Sequence, residues 1–548
     1  MEVLFQNTLD KLTEAEKLIQ RLLDQNNIPA SARQAVAGLG VLSTATYLVS
    51  RYIIYRLYLD PISKIPGPPV NRWIPFSGNF VEIFREEAAV PHKRWAQKYG
   101  GILRYHSTWN QSRVLISDPV LLKQVLTVQQ YDFIKTPEAS KFLAKFLGNG
   151  LLVAEGDAHR HQRKMLNPAF SVHTLRDLVP MLTVPAVQLA NLWKSERDYD
   201  APLDVANDLS WATLDVIGLA GFGHPFNSLK GHGEDKLSRA YMSIFGSNDN
   251  QSILRFLAMF FPILQHIPTK RNRELRQALR WLDEGSREVV QACVERTAEQ
   301  KKQGIRPNNI LALMIESSEG SMSVEEMRHQ CLTFLAAGHE TTSVSLSWCL
   351  WLLARDQDVQ KQLRDEVAPV FDPIQLDHPL FQSRDPLHVD AAEAHIPAYE
   401  TIHALPILNN VCKETLRLIP PVPTTSRIAD KDVVLGPYHI PKGTRIFIPP
   451  MVMHHDKNIW GDDAEEFRPS RWTEEAAQAA GPYEYMPFLA GGRQCIGNRF
   501  AMLEMKILLA VLITQFEFLE APDYMPGKRQ AITLRPHPNM TLVVRPIK

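Results

Sequence analysis

Phe488-Leu-Ala-Gly491-Gly492-Arg493-Gln-Cys495-Ile-Gly497 sets one cysteine in a glycine-rich loop beside a cation. Those residue types suit a thiolate ligand to a metal. Such a sulfur needs positive charge nearby and backbone N–H groups aimed at it, or it protonates or oxidises. The glycines let a turn pass close to a flat ligand and present those N–H groups. Arg493 can pair with a carboxylate of that ligand. A helical pattern from Ala501 to Leu512 follows, so its positive end favours the thiolate. The other four cysteines, Cys293, Cys331, Cys349 and Cys412, lie in apolar helical patterns and read as small hydrophobes. Five widely spaced cysteines offer neither a disulfide framework nor a CxxC zinc site, and fit a reducing compartment.

Three more segments carry charge in useful places. Glu414-Thr-Leu-Arg417 puts an acid and a base on one helix face, where they can pair. Phe467-Arg-Pro469-Ser-Arg471-Trp472 holds a further arginine. Ala337-Gly338-His339-Glu340-Thr341-Thr342 lies within a long helical pattern, 323–355, which Ser323 and Glu326 are placed to cap. A glycine, an acid and two threonines are poor helix material, and threonine can bond the preceding turn and bend the axis. Taken alone, that segment also reads as an ordinary helix with a tolerated glycine.

Together these segments resemble the cytochrome P-450 superfamily. The loop matches F-x-x-G-x-R-x-C-x-G at every fixed position; the others resemble E-x-x-R, F-x-P-x-R-[FW] and [AG]-G-x-[DE]-T-[TS], and all stand in the family's order. The resemblance covers nearly all the chain from Pro66 onward. It implies a mainly α fold with minor β: one large helix-rich domain with small β-sheets. It implies that Cys495 is the axial ligand of haem b iron, in a loop shaped by Phe488, Gly491, Arg493 and Gly497. Arg493, His159, Arg163 and Arg427 are implied propionate contacts, although many relatives carry Trp where His159 stands. Glu414, Arg417 and Arg471 are implied to form a buried network supporting the loop. Ser470 replaces the commonest family residue, Glu, at a variable position. Glu340 and Thr341 are implied to deliver protons to bound dioxygen where a bent helix crosses the haem.

Positioning these residues takes many elements. Helical patterns run over 276–302, 323–355 and 406–418, and strand-like stretches over 102–106, 112–116, 444–448 and 540–545. The polar segment 372–405 reads as a long surface excursion. No dinucleotide or triphosphate loop motif is present, and 60 basic residues balance 60 acidic ones, which argues against nucleic-acid binding. Upstream, residues 1–34 form an amphipathic leader, with Thr13 and Glu16 set as a capping box; it is either a second membrane contact or a solvated helix. Residues 35–58 are expected to be a membrane anchor, flanked by Arg51, Arg56, Lys64 and Arg72 against Asp60; the alternative is a buried or surface-lying helix. Residues 59–69, with Pro66-Gly67-Pro68-Pro69, form a stiff hinge, and residues 70–548 the catalytic domain.

The resemblance implies a haem-thiolate monooxygenase that inserts one oxygen atom from O2 into a lipophilic small molecule. Substrate contacts are expected around 133–152, in the apolar run Phe256–Leu264, at Phe334 and Ala337, over Pro421–Thr425, and near Ala531 and Ile532. Terpenoid or other specialised metabolism fits an apolar pocket. Only 53 residues follow Cys495, so electrons are expected from a separate NADPH-cytochrome reductase rather than a fused flavin domain. Basic residues after the anchor place the catalytic domain on the cytosolic side of the endoplasmic reticulum membrane. A reductase-independent isomerase or dehydratase, or a non-catalytic haem binder, would not need the Glu340–Thr341 pair.

Overall fold

A computed structural model of the chain describes residues 30–70, 76–195, 198–231, 235–246, 269–318, 320–383, 394–530 and 532–547. Eight helices matter for the site: α1 (Ala30–Val49), α2 (Gly156–Leu166), α3 (Val172–Lys194), α4 (Val205–Val216), α5 (Lys270–Lys302), α6 (Val324–Arg355), α7 (Pro406–Leu418) and α8 (Asn498–Gln515). The core is built around two of them. Residues 343–354 of α6 and 503–515 of α8 are buried on every face, as in helices that run through a domain. Their polar side chains bond internally. Ser343, Ser345 and Ser347 donate to the carbonyls of Glu340, Thr341 and Ser343 at 3.1, 2.8 and 2.7 Å. Helices α3 and α4 pack around this pair.

The start of α6 follows the sequence expectation. Ser323 Oγ accepts from the Glu326 N–H at 3.2 Å, and Glu326 Oε2 accepts from the Ser323 N–H at 2.9 Å. This capping box satisfies two end groups that the helix leaves open.

Among the described residues, twelve short strands form the minor β part. The main sheet has the order β1-β2-β8-β5-β3: β1 (Ile102–His106), β2 (Ser112–Ile116), β8 (Arg445–Ile448), β5 (Thr425–Ala429) and β3 (Phe133–Ile134). Only the β2–β8 pairing is parallel. A second sheet joins β4 (Leu203–Asp204), β12 (Thr541–Pro546) and β9 (Phe516–Glu520). Two hairpins complete the set, β6 (Val433–Leu435) with β7 (Tyr438–Ile440), and β10 (Gly527–Gln530) with β11 (Leu534–His537).

The N-terminal expectations change. The leader and its Thr13–Glu16 box lie outside the described residues, as does the apolar run 254–264. The 35–58 segment is not one apolar α-helix: α1 ends at Val49 and a π-helix, Ser50–Leu59, continues it. Among the described residues, no helix is long and apolar enough to cross a membrane. Gly38, Gly40, Ser43, Thr44 and Thr46 dilute α1, and the π-helix docks on protein. Asn110 Nδ2 donates to the Tyr52 carbonyl at 3.1 Å, and the Tyr52 and Trp109 rings lie 5.8 Å apart. The proline run is likewise built in. A Cβ on Gly67 would fall 1.7 Å from the Arg104 carbonyl oxygen, and the Arg104 N–H bonds the Pro66 carbonyl at 2.8 Å. The 372–405 excursion is pinned rather than loose where described, with Phe381 and Ile402 fully buried.

Candidate haem site and the family of the chain

The cysteine loop folds back on itself before α8 begins. The Cys495 N–H bonds the Phe488 carbonyl at 2.9 Å, and the Gln494 N–H bonds the Gly491 carbonyl at 3.0 Å. Gly491 has φ +76°, and a Cβ there would meet the Leu126 carbonyl oxygen at 1.9 Å. Gly492 N–H donates to Gln130 Oε1 at 2.9 Å. Gly491 is therefore required both by the turn and by close docking on Leu126, while Gly492 docks against the Gln130 side chain. Gly497 has open space beside it, with Phe170 Cε1 at 3.7 Å, and it heads α8.

Cys495 is the one exposed cysteine of the five. Solvent reaches its sulfur, but protein hems it in, and this desolvation pushes the free thiol pKa up. The Gly497 N–H and the Arg163 guanidinium pull the other way. A bound metal cation would reverse the balance and deprotonate the sulfur. Arg163, an implied propionate contact, is tied to the protein. It donates to the Gln494 carbonyl, next to the cysteine, and to Asn167 Oδ1 at 3.0 Å. Its bonds thus brace the loop on the sulfur side.

Behind the loop, Glu414, Arg417 and Arg471 meet as the motifs imply. Glu414 Oε1 accepts from Arg417 Nη2 at 2.9 Å, Arg471 Nε at 3.2 Å and the Arg468 N–H at 3.1 Å. Its Oε2 accepts from Arg417 Nε at 2.9 Å and Trp472 Nε1 at 3.1 Å. All three charged side chains are buried. Two members were not evident from sequence. Asp463 accepts from Arg471 Nη1 at 2.9 Å and is drawn down to about 2 by that bond and by Arg468. His454 connects the network to the loop: it bonds the Arg417 carbonyl through Nδ1 at 3.1 Å and accepts from the Met486 N–H through Nε2 at 2.9 Å. That pattern assigns the neutral Nδ1–H tautomer, and burial holds its pKa well below the usual histidine range.

A cationic cluster lies on the other side. Arg493 pairs with Glu155, whose Oε1 also accepts from the Lys135 N–H at 2.8 Å. Arg493 Nε and Nη1 and His159 Nδ1 are buried with no partner among the described residues. Arg427 is buried, bonding Thr425 Oγ1 at 3.0 Å and the Ser426 carbonyl at 2.8 Å. Burial, with Arg493 nearby, lowers the Arg427 pKa to about 10; burial with Lys135 and Arg493 lowers His159 to about 4. Lys135, missed in the sequence because it sits in no motif, is brought down to about 7 by burial despite Glu155. One carboxylate cannot neutralise this set. Unpaired buried donors of this kind fit a ligand that brings its own anions, as the two propionates of haem would.

Helix α6 opens on one face. Ala337 is exposed and Thr341 half-exposed, while Leu335, His339, Glu340 and Thr342 are buried. Thr341 Oγ1 donates to the Ala337 carbonyl at 2.7 Å. Gly338 packs closely: a Cβ there would come 3.0 Å from Ile217 Cδ1, and that side chain would have to give way. Thr342 Oγ1 lies 2.9 Å from Glu504 Oε2 on α8 and 3.2 Å from the Gly338 carbonyl. One hydroxyl hydrogen cannot serve two acceptors, so both contacts are satisfied when Glu504 is protonated and donates. Burial raises the Glu504 pKa well above the usual range, in agreement. Glu340 turns toward the C-terminal hairpin and bonds Thr533 and Arg535.

Residues 68–543 match the sequence profile of the family described as Cytochrome P450. The chain belongs to the cytochrome P450 family. It is 33% identical to cytochrome P450 monooxygenase sphH of Aspergillus fumigatus, over 91% of this chain and 91% of that protein. It is also 33% identical to cytochrome P450 monooxygenase 205 of Postia placenta, over 92% and 95%. To cytochrome P450 monooxygenase FUM15 of Gibberella moniliformis the identity is 30%, over 86% and 85%. This P450 is accordingly a haem-thiolate monooxygenase; isomerase and non-catalytic readings are not favoured. The family's cofactor is haem held by a cysteine thiolate, and its members act on small molecules with O2 and a redox partner.

Proposed function

We propose that Cys495 is the axial ligand of haem b, and that the enzyme inserts one oxygen atom of O2 into a lipophilic small molecule of specialised metabolism. The observation that carries this reading is an exposed cysteine in the same loop as Arg493, which belongs to a buried, under-neutralised cationic cluster. Haem, when bound, supplies O2 activation, with the thiolate pushing electron density toward O–O cleavage. The chain's own residues do the rest. Gly497 N–H and Arg163 favour the thiolate form of Cys495. Arg493, Arg427, His159 and Lys135 hold the propionates. The Glu414 network keeps the loop rigid. Thr341 faces the opening on α6 and Glu340 lies beside it, and together they pass protons inward by general acid catalysis through water.

A lipophilic substrate is supported by the tie between the 421–424 segment and the C-terminal hairpin. The Leu534 N–H bonds the Pro421 carbonyl at 2.8 Å, and both sides carry exposed apolar groups, Val422 and Ile532. The fungal sources of the relatives support specialised metabolism. Electrons come from a separate NADPH-cytochrome reductase. Exposed Leu39, Val41, Leu42, Tyr47 and Val49 on α1 support contact with the endoplasmic reticulum membrane, with the catalytic domain cytosolic.

Reduced protein with carbon monoxide should show the red-shifted Soret band of thiolate-ligated haem, and Cys495→Ala should lose it. Folded wild type without that band would sink the assignment. Fractionated microsomes co-expressing a reductase should hold the protein in the membrane pellet and yield NADPH-dependent product from terpenoid and lipid panels; wholly soluble protein would remove the membrane reading.

A further inference from the structure

Glu340 is held by one oxygen only. Oε1 accepts from Thr533 Oγ1 at 2.5 Å and from Arg535 Nε at 3.0 Å, and Arg535 Nη2 lies 2.9 Å away in the ion pair. Among the described residues nothing bonds Oε2. The holding groups belong to one short stretch of the C-terminal hairpin, and that stretch is itself fixed. Trp348 Nε1, two turns along α6 from Glu340, donates to the Leu534 carbonyl at 2.8 Å. Gln530 Nε2 donates to Thr424 Oγ1 at 2.7 Å. Glu340 and Thr533 are buried, and the Arg535 side chain is 23% exposed. A buried carboxylate with two donors and an ion pair on one oxygen has a fixed orientation and one oxygen to spare.

We propose that Arg535, assisted by Thr533, is a positioning residue for Glu340: it pins Oε1, so that Oε2 is the oxygen that gains and gives up the proton. The proposal rests on the reading of Glu340 as the general acid. In the step, the Oε2–H bond breaks and its proton passes through water or the Thr341 hydroxyl to the reduced dioxygen. The carboxylate that remains is stabilised by Arg535 and regains a proton from solvent. No electrons move through these residues. Arg535 stays charged throughout, since guanidinium does not deprotonate in proteins.

Two measurements on the haem-loaded, full-length protein test this. The first is a double-mutant cycle of thermal unfolding with Glu340→Gln and Arg535→Met. The double variant should melt no lower than the less stable single variant; additive losses would overturn the latch. The second is O2 consumption with NADPH and a microsomal reductase, in H2O and D2O. Arg535→Met should slow it by about tenfold or more, the scale of a lost general acid, with a larger H2O/D2O rate ratio and an intact carbon monoxide band. Arg535→Lys should restore most of the rate, and Thr533→Val, which removes a single bond, should give a smaller change of the same sign. Wild-type rate and isotope ratio in Arg535→Met would overturn the proposal. Unchanged rates in Glu340→Gln would instead overturn the general-acid reading, and the proposal with it.

Discussion

At the residue scale, Glu414 bears most. Five hydrogen bonds converge on its two oxygens from two arginines, a tryptophan and a backbone N–H. Removing it leaves two buried guanidinium groups short of an anion. Glu414→Ala should therefore cost about 3–5 kcal/mol of stability, the usual range for breaking a buried pair from one side. Thermal or urea denaturation reads this directly, and a loss under about 1 kcal/mol would contradict the network's role. Glu414, Arg417, Arg471 and Cys495 were legible in the sequence because each lies in a contiguous motif. Lys135, Glu155, His454, Asp463, Glu504 and Arg535 were not. They act through partners brought near only by tertiary folding, such as Glu155 and Arg493, which are 338 residues apart in the chain. Arg163 was legible as a site residue, but its bonds to Gln494 and Asn167 were not, since sequence gives no direction for a side chain at the end of α2.

At the scale of elements, long periodic helices were the clearest. The 406–418 helix and the 102–106 and 112–116 strands appear at the expected bounds, and the 276–302 pattern is the larger part of α5. The cap of α6 was legible too, because its chemistry is local. Ser323→Ala should cost about 1 kcal/mol, since two end groups lose their partners. Chemical denaturation checks this, and an unchanged midpoint would mean that tertiary packing alone fixes the helix start. The change at Val49 from α-helix to π-helix was not legible. It accompanies docking of residues 52–60 on the β1–β2 turn, where Ser112 Oγ donates to Asp60 Oδ2 at 2.8 Å. Nothing in the hydropathy of that stretch announces a partner.

At the scale of the whole molecule, stability is coupled to pH through buried histidines. Burial holds His92, His339 and His455 at about 3 and His106 at about 4, well below the ordinary 6.5. These rings are neutral when folded and take up protons once unfolded. Their contribution is present above about pH 6.5 and is lost as pH falls toward 4, each group contributing about 1.4 kcal/mol per pH unit in that window. Asp215, raised to about 6 by burial, works in the opposite sense and offsets one of them. The melting temperature should fall gently from about pH 8 to 7, where unfolding lets Lys135 take up a proton, and most steeply between about pH 6.5 and 4.5. His92 offers the sharpest check. Both ring nitrogens lack partners among the described residues, and the ring stacks on Phe447 at 4.7 Å, so His92→Phe should flatten the acid limb. An unaltered limb in that variant would assign the acid loss to other groups.

The close approach at Gly67 has a mechanical consequence. With its backbone against Arg104, with Pro66 bonded to the edge of the main sheet and with Tyr52 bonded to Asn110, the segment from the π-helix to Gly67 is tied to the β1–β2 hairpin at several points. A torque applied to residues 50–59 is passed to the sheet through those contacts. Whatever surface grips that end of the molecule thereby sets the direction in which the opening beside Ala337 points, and a side chain at position 67 would loosen aim before it touched chemistry.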